Sequence, residues 1–156
     1  MNDQAYDIAR LKEAQGNCLD STSDFWMQAE QLQKELLQQG KRACYIFLDL
    51  ENFRFINMQG DISEGAHLLT EVSALIHQTF PDVLITRGAS IQFAVVTGVP
   101  DVRERLVHLH KKALSLRSNN QLDLKAGIFI VSDPQISPIT ASDYAKAACA
   151  HIKKDY

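Results

Sequence analysis

The chain has 156 residues, 46% hydrophobic and 22% charged, a balance that excludes the high-charge regime of disordered chains and suits one ordinary core. A formal charge of −3 at pH 7 supplies no global positive field, so nucleic acid is not expected as a partner. Cys18, Cys44 and Cys149 form no CxxC pair and suit reduced thiols in the cytoplasm; no apolar run reaches the ~20 residues that span a bilayer, so no membrane contact is expected of this segment.

The first helix expected runs from Asp3 to Gln15, on a weak stripe of Ala5, Ile8, Ala9 and Lys12 ended by Gly16. A stronger helix follows the polar cluster Ser21 to Asp24, with Phe25, Trp26, Ala29, Leu32 and Leu36 on one face and Gly40 past its end. Ala43 to Leu50 is a continuous apolar run too short for a helix, and it reads as a central buried strand. A helix bearing Ile62, Ala66, Leu69, Val72 and Ile76 stops before Pro81.

Val83 to Arg87 and Ile91 to Thr97 are β-rich runs around Gly88-Ala89-Ser90, which predicts an antiparallel hairpin. Val102, Leu106, Leu109, Ala113 and Leu116 predict another helix, closed by Ser118-Asn119-Asn120, and Leu122 to Val131 a further strand. After the loop Ser132 to Pro138, Thr140 and Asp143 have the spacing of a helix cap, and Ala141, Tyr144, Ala145, Ala148 and Ile152 make the inward stripe. Residues 1–20 are thus read as a lead-in helix and 21–156 as one α/β (α+β) domain. Its split-βαβ, ferredoxin-like core has a mostly antiparallel central sheet flanked by helices, a fold too widely shared to name a function.

Asp49 and Glu51 end the buried strand, two apart and therefore on one side of it. Such a pair can hold a hard cation such as Mg²⁺, although charges at a strand end more commonly just reach water. The five histidines show no ligand spacing and read as surface residues. Cys44 and Cys149, without basic neighbours, read as small core residues, and Phe25 and Trp26 as core anchors.

The segment Asp49-Leu50-Glu51-Asn52-Phe53-Arg54-Phe55-Ile56-Asn57 resembles the D-x-D-x-F-K-x-x-N stretch of GGDEF (diguanylate cyclase) domains, with Gly65 in place of a glycine of their G-H-x-x-G-D stretch. Arg87-Gly88-Ala89-Ser90-Ile91-Gln92-Phe93 resembles their R-[YF]-G-G-[DE]-E-F signature, and Ser142-Asp143-x-Ala145 the opening of their last helix. The resemblance covers roughly Phe25 to Tyr156 with element order and spacing agreeing. It implies the fold of nucleotidyl cyclases and a family reaction in which two facing domains join two GTP molecules into cyclic dimeric GMP.

Against that pattern the chemistry is depleted. Asp49 matches the first metal-holding aspartate, but the acidic third residue of the signature is Ile91, which has no lone pair to give a metal. Ala89 and Ser90 replace two glycines that let the turn approach a nucleotide, and Gln92 replaces a glutamate, while Phe93 is kept. Asn57 matches the guanine-binding asparagine, yet Ala66 stands where its aspartate partner is expected. The phosphate-contacting lysine falls at Ala150, with Lys153 and Lys154 one turn on, and the inhibitory R-x-x-D falls at Phe80 and Val83.

The degenerate loop Ala89, Ser90, Ile91, Gln92 and Phe93, with Asn57 a residual nucleotide contact and Asp49 a residual metal ligand, implies a catalytically inactive regulatory or dimerising domain. No catalytic residue and no required cofactor are expected; Mg²⁺ enters with GTP only where nucleotide binding persists. The resemblance further implies bacterial cyclic dimeric GMP signalling in the cytoplasm. An attached EAL-type phosphodiesterase or other signalling domain is the expected partner in the same chain, since the sequence looks cut after its last helix, and a homodimer through facing domains is the other partner. The alternatives are a non-catalytic GTP sensor and, weakest, an active cyclase.

Overall fold

A computed structural model describes residues 22–51, 62–80, 83–87, 92–116 and 123–154. The expected lead-in helix, Asn57 and the signature residues 88–91 lie outside these. Helix α1 (Thr22–Gln38) leads into strand β1 (Cys44–Glu51), then α2 (Ile62–Thr79), the hairpin strands β2 (Leu84–Arg87) and β3 (Gln92–Thr97), α3 (Val102–Leu114), β4 (Asp123–Ile130) and α4 (Pro138–Lys154). Gly40 closes α1 at φ 73°, where the amides of Gly40 and Lys41 turn back onto the carbonyls of Leu37 and Leu36, the left-handed C-terminal cap for which glycine is suited.

The four strands lie in the order β2-β3-β1-β4 with every neighbouring pair antiparallel. Because β3 is inserted between β1 and β2, the β1-α2-β2 crossover joins parallel strands that do not touch, which is the expected split βαβ. Alternation along β1 divides its side chains between two cores. Cys44, Ile46, Leu48 and Leu50 pack with Leu68, Val72 and Ile76 of α2 and with Val102, Leu109 and Ala113 of α3. Tyr45 faces the other way, among Phe25, Ala29, Leu32 and Leu36 of α1 and Ala141 and Ala145 of α4, with Phe47 packed against that group. The sheet is therefore sandwiched, and β1 is its most enclosed strand.

Helix α4 departs from the expected pattern in two ways. It begins at Pro138, and the Ser137 hydroxyl, not Thr140 with Asp143, caps it: the Thr140 amide donates to Ser137 Oγ at 3.2 Å. Proline fits the first helical turn because its missing N–H would be unpaired there anyway, so serine just ahead of it takes the cap. Tyr144 is 50% exposed, its ring set edge-on to Phe129. The inward stripe is Ala141, Ala145 and Cys149, all small, and they let α4 come so close to β4 that a Cβ on Gly127 would lie 1.9 Å from the Ala145 carbonyl oxygen.

Candidate nucleotide site

Among the described residues, the site candidates Asp49, Gln92 and Phe93 lie together where the end of β1 pairs with the start of β3. Register places Asp49 directly opposite Gln92 on β3 and opposite Lys125 on β4. Directly opposed residues of antiparallel strands share a face, so Gln92, Asp49 and Lys125 form a row across the sheet. That face is the Tyr45 and Phe47 face, covered by α1 and α4. One pair further along it, Phe47 opposes Gly127, beneath the close approach of α4, and the Lys146 ammonium of α4 lies 5.7 Å from the Phe47 ring centroid. Asp49 is 4% exposed; it does not reach water as strand-end charges commonly do, because β1 is flanked on both sides and roofed by helices.

The two signature residues within the described set have separate uses. Phe93 is fully buried, packed on the α2 and α3 side of the sheet, where it anchors the hairpin. Gln92 is half-buried beside Asp49. Lys125 is the residue that sequence reasoning missed. Its signal was a lone cation inside the apolar run Leu124 to Val131, but only strand pairing tells which residue it faces.

At the same end, Glu51 is in register with Asp123, and the Asp123 carboxylate is engaged by the His110 ring, at 2.5 Å, and by the Leu124 amide, at 2.9 Å. His110 is thus a half-buried clasp between α3 and β4 instead of a surface residue, whereas His67 and His108 are exposed. A resident Mg²⁺ takes one or two carboxylates and completes its octahedron with water or phosphate oxygens. Here Asp49 is in register with uncharged Gln92 and with Lys125, Asp123 is held by imidazole, and no three His, Cys, Asp or Glu side chains gather among the described residues. The described donors do not fit a resident divalent cation.

The opposite end of β1 carries the open grooves. One of about 600 Å³ runs between α1 and the 132–139 segment, lined by Trp26, Gln33, Lys34, Ile136 and Ile139. Trp26 is accordingly half-buried in a groove wall while Phe25 is the full core anchor. Another of about 540 Å³ is lined by Arg42, Cys44, Gly98, Arg103 and Ile130. Neither touches Asp49. Cys44 is no nucleophile there: burial pushes its thiol up to about 12, and nearby Arg103 only partly opposes this, which leaves almost no thiolate at neutral pH.

No family model matches the sequence, and no curated protein matches it. Solved structures do match. The GGDEF domain of DgcB from Caulobacter crescentus, in complex with c-di-GMP, is 18% identical with a TM-score of 0.68, over 82% of this chain and 81% of that one. The active GGEEF domain of a diguanylate cyclase from Vibrio cholerae is 18% identical with a TM-score of 0.69, over 85% and 90%. The diguanylate cyclase SiaD from Pseudomonas aeruginosa, in complex with its activator SiaC, is 14% identical with a TM-score of 0.69, over 83% of this chain and 53% of that one. No helix among the described residues is long and apolar enough to cross a membrane. Strand order, helix placement and these likenesses agree: the chain has the fold of a GGDEF domain.

Proposed function

We propose that this domain is a non-catalytic GGDEF-like module of bacterial cyclic dimeric GMP signalling, acting as a regulatory or dimerising element that controls an attached EAL-type phosphodiesterase domain. The observation that carries the reading is the row Gln92, Asp49, Lys125. Phosphoryl transfer is catalysed almost entirely by positioning and by cations that neutralise developing phosphate charge. Ile91, which follows β2 in the signature loop, brings no second carboxylate, and Gln92 brings an amide. The binding interactions that separate a transition state from its substrate are the ones removed, while the buried framework that presents them is kept.

A fold retained without its chemistry is suited to contact. Phe93 still anchors the hairpin, and both sheet faces are fully packed, so the domain offers a rigid surface to a neighbour. SiaD, of which this chain covers 53%, is a diguanylate cyclase solved in complex with an activator protein, SiaC. Incubating the purified chain with GTP and either Mg²⁺ or Mn²⁺ is expected to yield no cyclic dimeric GMP by chromatography and mass spectrometry. Product above the blank overturns the reading. Calorimetry with GTP separates a regulator from a nucleotide sensor: silence supports the regulator, and binding heat abolished by Asn57→Ala replaces it with the sensor. The attachment is tested on the source gene, where a reading frame without a phosphodiesterase domain removes that part of the proposal.

A further inference from the structure

We infer that the outer face of α1 is a homodimer surface, on which two copies of this chain pair their α1 helices antiparallel about a two-fold axis level with Leu32. The inference deepens the dimerising part of the proposed function and rests on that reading, and it places the contact on α1 instead of at the nucleotide site.

Along α1, Met27, Glu30, Lys34 and Leu37 recur at steps of three, four and three residues, the spacing that lines up one seam of a helix pair. Phe25, Ala29, Leu32 and Leu36 take the other side of the helix into the core, so the seam faces outward. Met27 is 69% and Leu37 55% exposed. The Lys34 and Glu30 side chains are 67% and 60% exposed, with a loose 3.7 Å contact between them, a pairing on one helix face that is worth little and easily exchanged. All four line the same groove of about 600 Å³, as does Ile139, which is also more than half exposed. Single exposed apolar side chains are ordinary, whereas several gathered at one groove mark a surface made for contact.

The order of the four residues selects the occupant. Met27 and Leu37 stand five positions either side of Leu32, and Glu30 and Lys34 two positions either side. When a second α1 lies antiparallel across the first, residues equally spaced about the axis meet. Met27 then meets Leu37 of the other copy and Glu30 meets its Lys34, each contact occurring twice, which is the self-complementarity that an isologous interface requires. Parallel pairing would instead oppose Glu30 with Glu30 and Lys34 with Lys34, like charges that repel. A single helix pair is small beside an obligate interface, so the dissociation constant is expected at about 10–100 μM.

The experiment is sedimentation equilibrium of the whole chain without nucleotide, from about 10 μM to about 1 mM. Wild type is expected to reach dimer mass at the upper end. Glu30→Lys and Lys34→Glu each set like charges opposite one another twice, and each is expected to weaken dimerisation by at least about tenfold. An equimolar mixture of the two variants is expected to regain dimer mass, because an all-basic seam then meets an all-acidic one. The double variant, Glu30→Lys with Lys34→Glu, exchanges the charges and is expected to dimerise like wild type. A wild type that stays monomeric at about 1 mM overturns the inference, as does a mixture or a double variant that regains nothing. A dimer that either single variant leaves as strong as wild type overturns it too, while leaving the dimerising reading to another surface. Should a charge variant fail to fold by circular dichroism, Leu37→Lys decides: weakened dimerisation supports the inference and unchanged dimerisation overturns it. Cyclic dimeric GMP formation, measured separately, bears on the non-catalytic reading instead.

Discussion

Gly127→Ala tests the packing that frames the Asp49 row. An added Cβ would meet the Ala145 carbonyl oxygen at 1.9 Å, the Cys149 amide nitrogen at 2.4 Å and the Cys149 Cβ at 2.9 Å. Two of these are helix backbone atoms that cannot rotate aside, so α4 would have to lift from β4 by roughly 1.5 Å to restore ordinary contact. That lift loosens Ala141, Ala145 and Cys149, the buried stripe of α4. Overpacking of this kind costs about 1–3 kcal/mol, and the rigidity of the obstacle puts the expected loss near the top, about 3 kcal/mol, or a melting temperature lower by about 6–12 °C for a chain of this size. Gly98→Ala is the control. Its Cβ would come within 2.3 Å of Leu36 Cδ2, the end of a side chain that can change rotamer for about 0.5–1.5 kcal/mol. Urea unfolding followed by circular dichroism measures both. A Gly127→Ala variant within about 0.5 kcal/mol of wild type, or one less affected than Gly98→Ala, refutes the close approach of α4 to β4.

The Tyr45 hydroxyl donates to Gln33 Oε1 at 2.7 Å while Gln33 Nε2 donates to the Ile136 carbonyl at 2.9 Å, so Tyr45→Phe should strand one end of this link and cost about 1–2 kcal/mol in the same unfolding assay. Ser137→Ala should cost about 1 kcal/mol by removing the cap of α4, whereas Asp143→Ala, at an exposed position, should stay within about 0.5 kcal/mol of wild type. The Cys44 thiol, ordinarily at 9.0 and held at about 12 when folded, keeps its proton after the unfolded chain has lost its own. Stability is therefore complete below pH 9 and should fall as pH climbs towards 12, a trend measured by urea midpoints across that window and weakened in Cys44→Ala. At pH 8 iodoacetamide should leave the buried Cys44 and Cys149 unlabelled in the folded protein and label both in urea, read by peptide mass spectrometry.

Much of the architecture was legible in local pattern. The stripe Phe25, Ala29, Leu32, Leu36, the unbroken apolar run of β1 and the stop before Pro81 each depend on near neighbours in the chain, and each appears where periodicity puts it. The antiparallel hairpin was legible for the same reason, since short β-rich runs around a turn have little choice of partner. The cap of α4 was misplaced because Thr140 and Asp143 have the spacing of a cap, while Ser137 followed by Pro138 makes a better one, and choosing between them depends on where the preceding loop leaves the chain. Tyr144 was misassigned inward because its helical phase is nearly that of Ala141 and Ala145, and only the closeness of β4 excludes a ring there.

The candidate site divides in the same way. Sequence by itself determined that Ile91 cannot ligate a metal and that Gln92 carries no charge, because those are properties of the side chains wherever they lie. Tertiary structure decided what surrounds Asp49. Lys125 is 76 positions away in the chain, and nothing in its local pattern says which carboxylate it will oppose. Strand register is a non-local property, fixed by burying the alternate residues of β1 against two different helix layers at once. A slip of one residue would turn Lys125 to the other face of the sheet, away from the face that Asp49 shares.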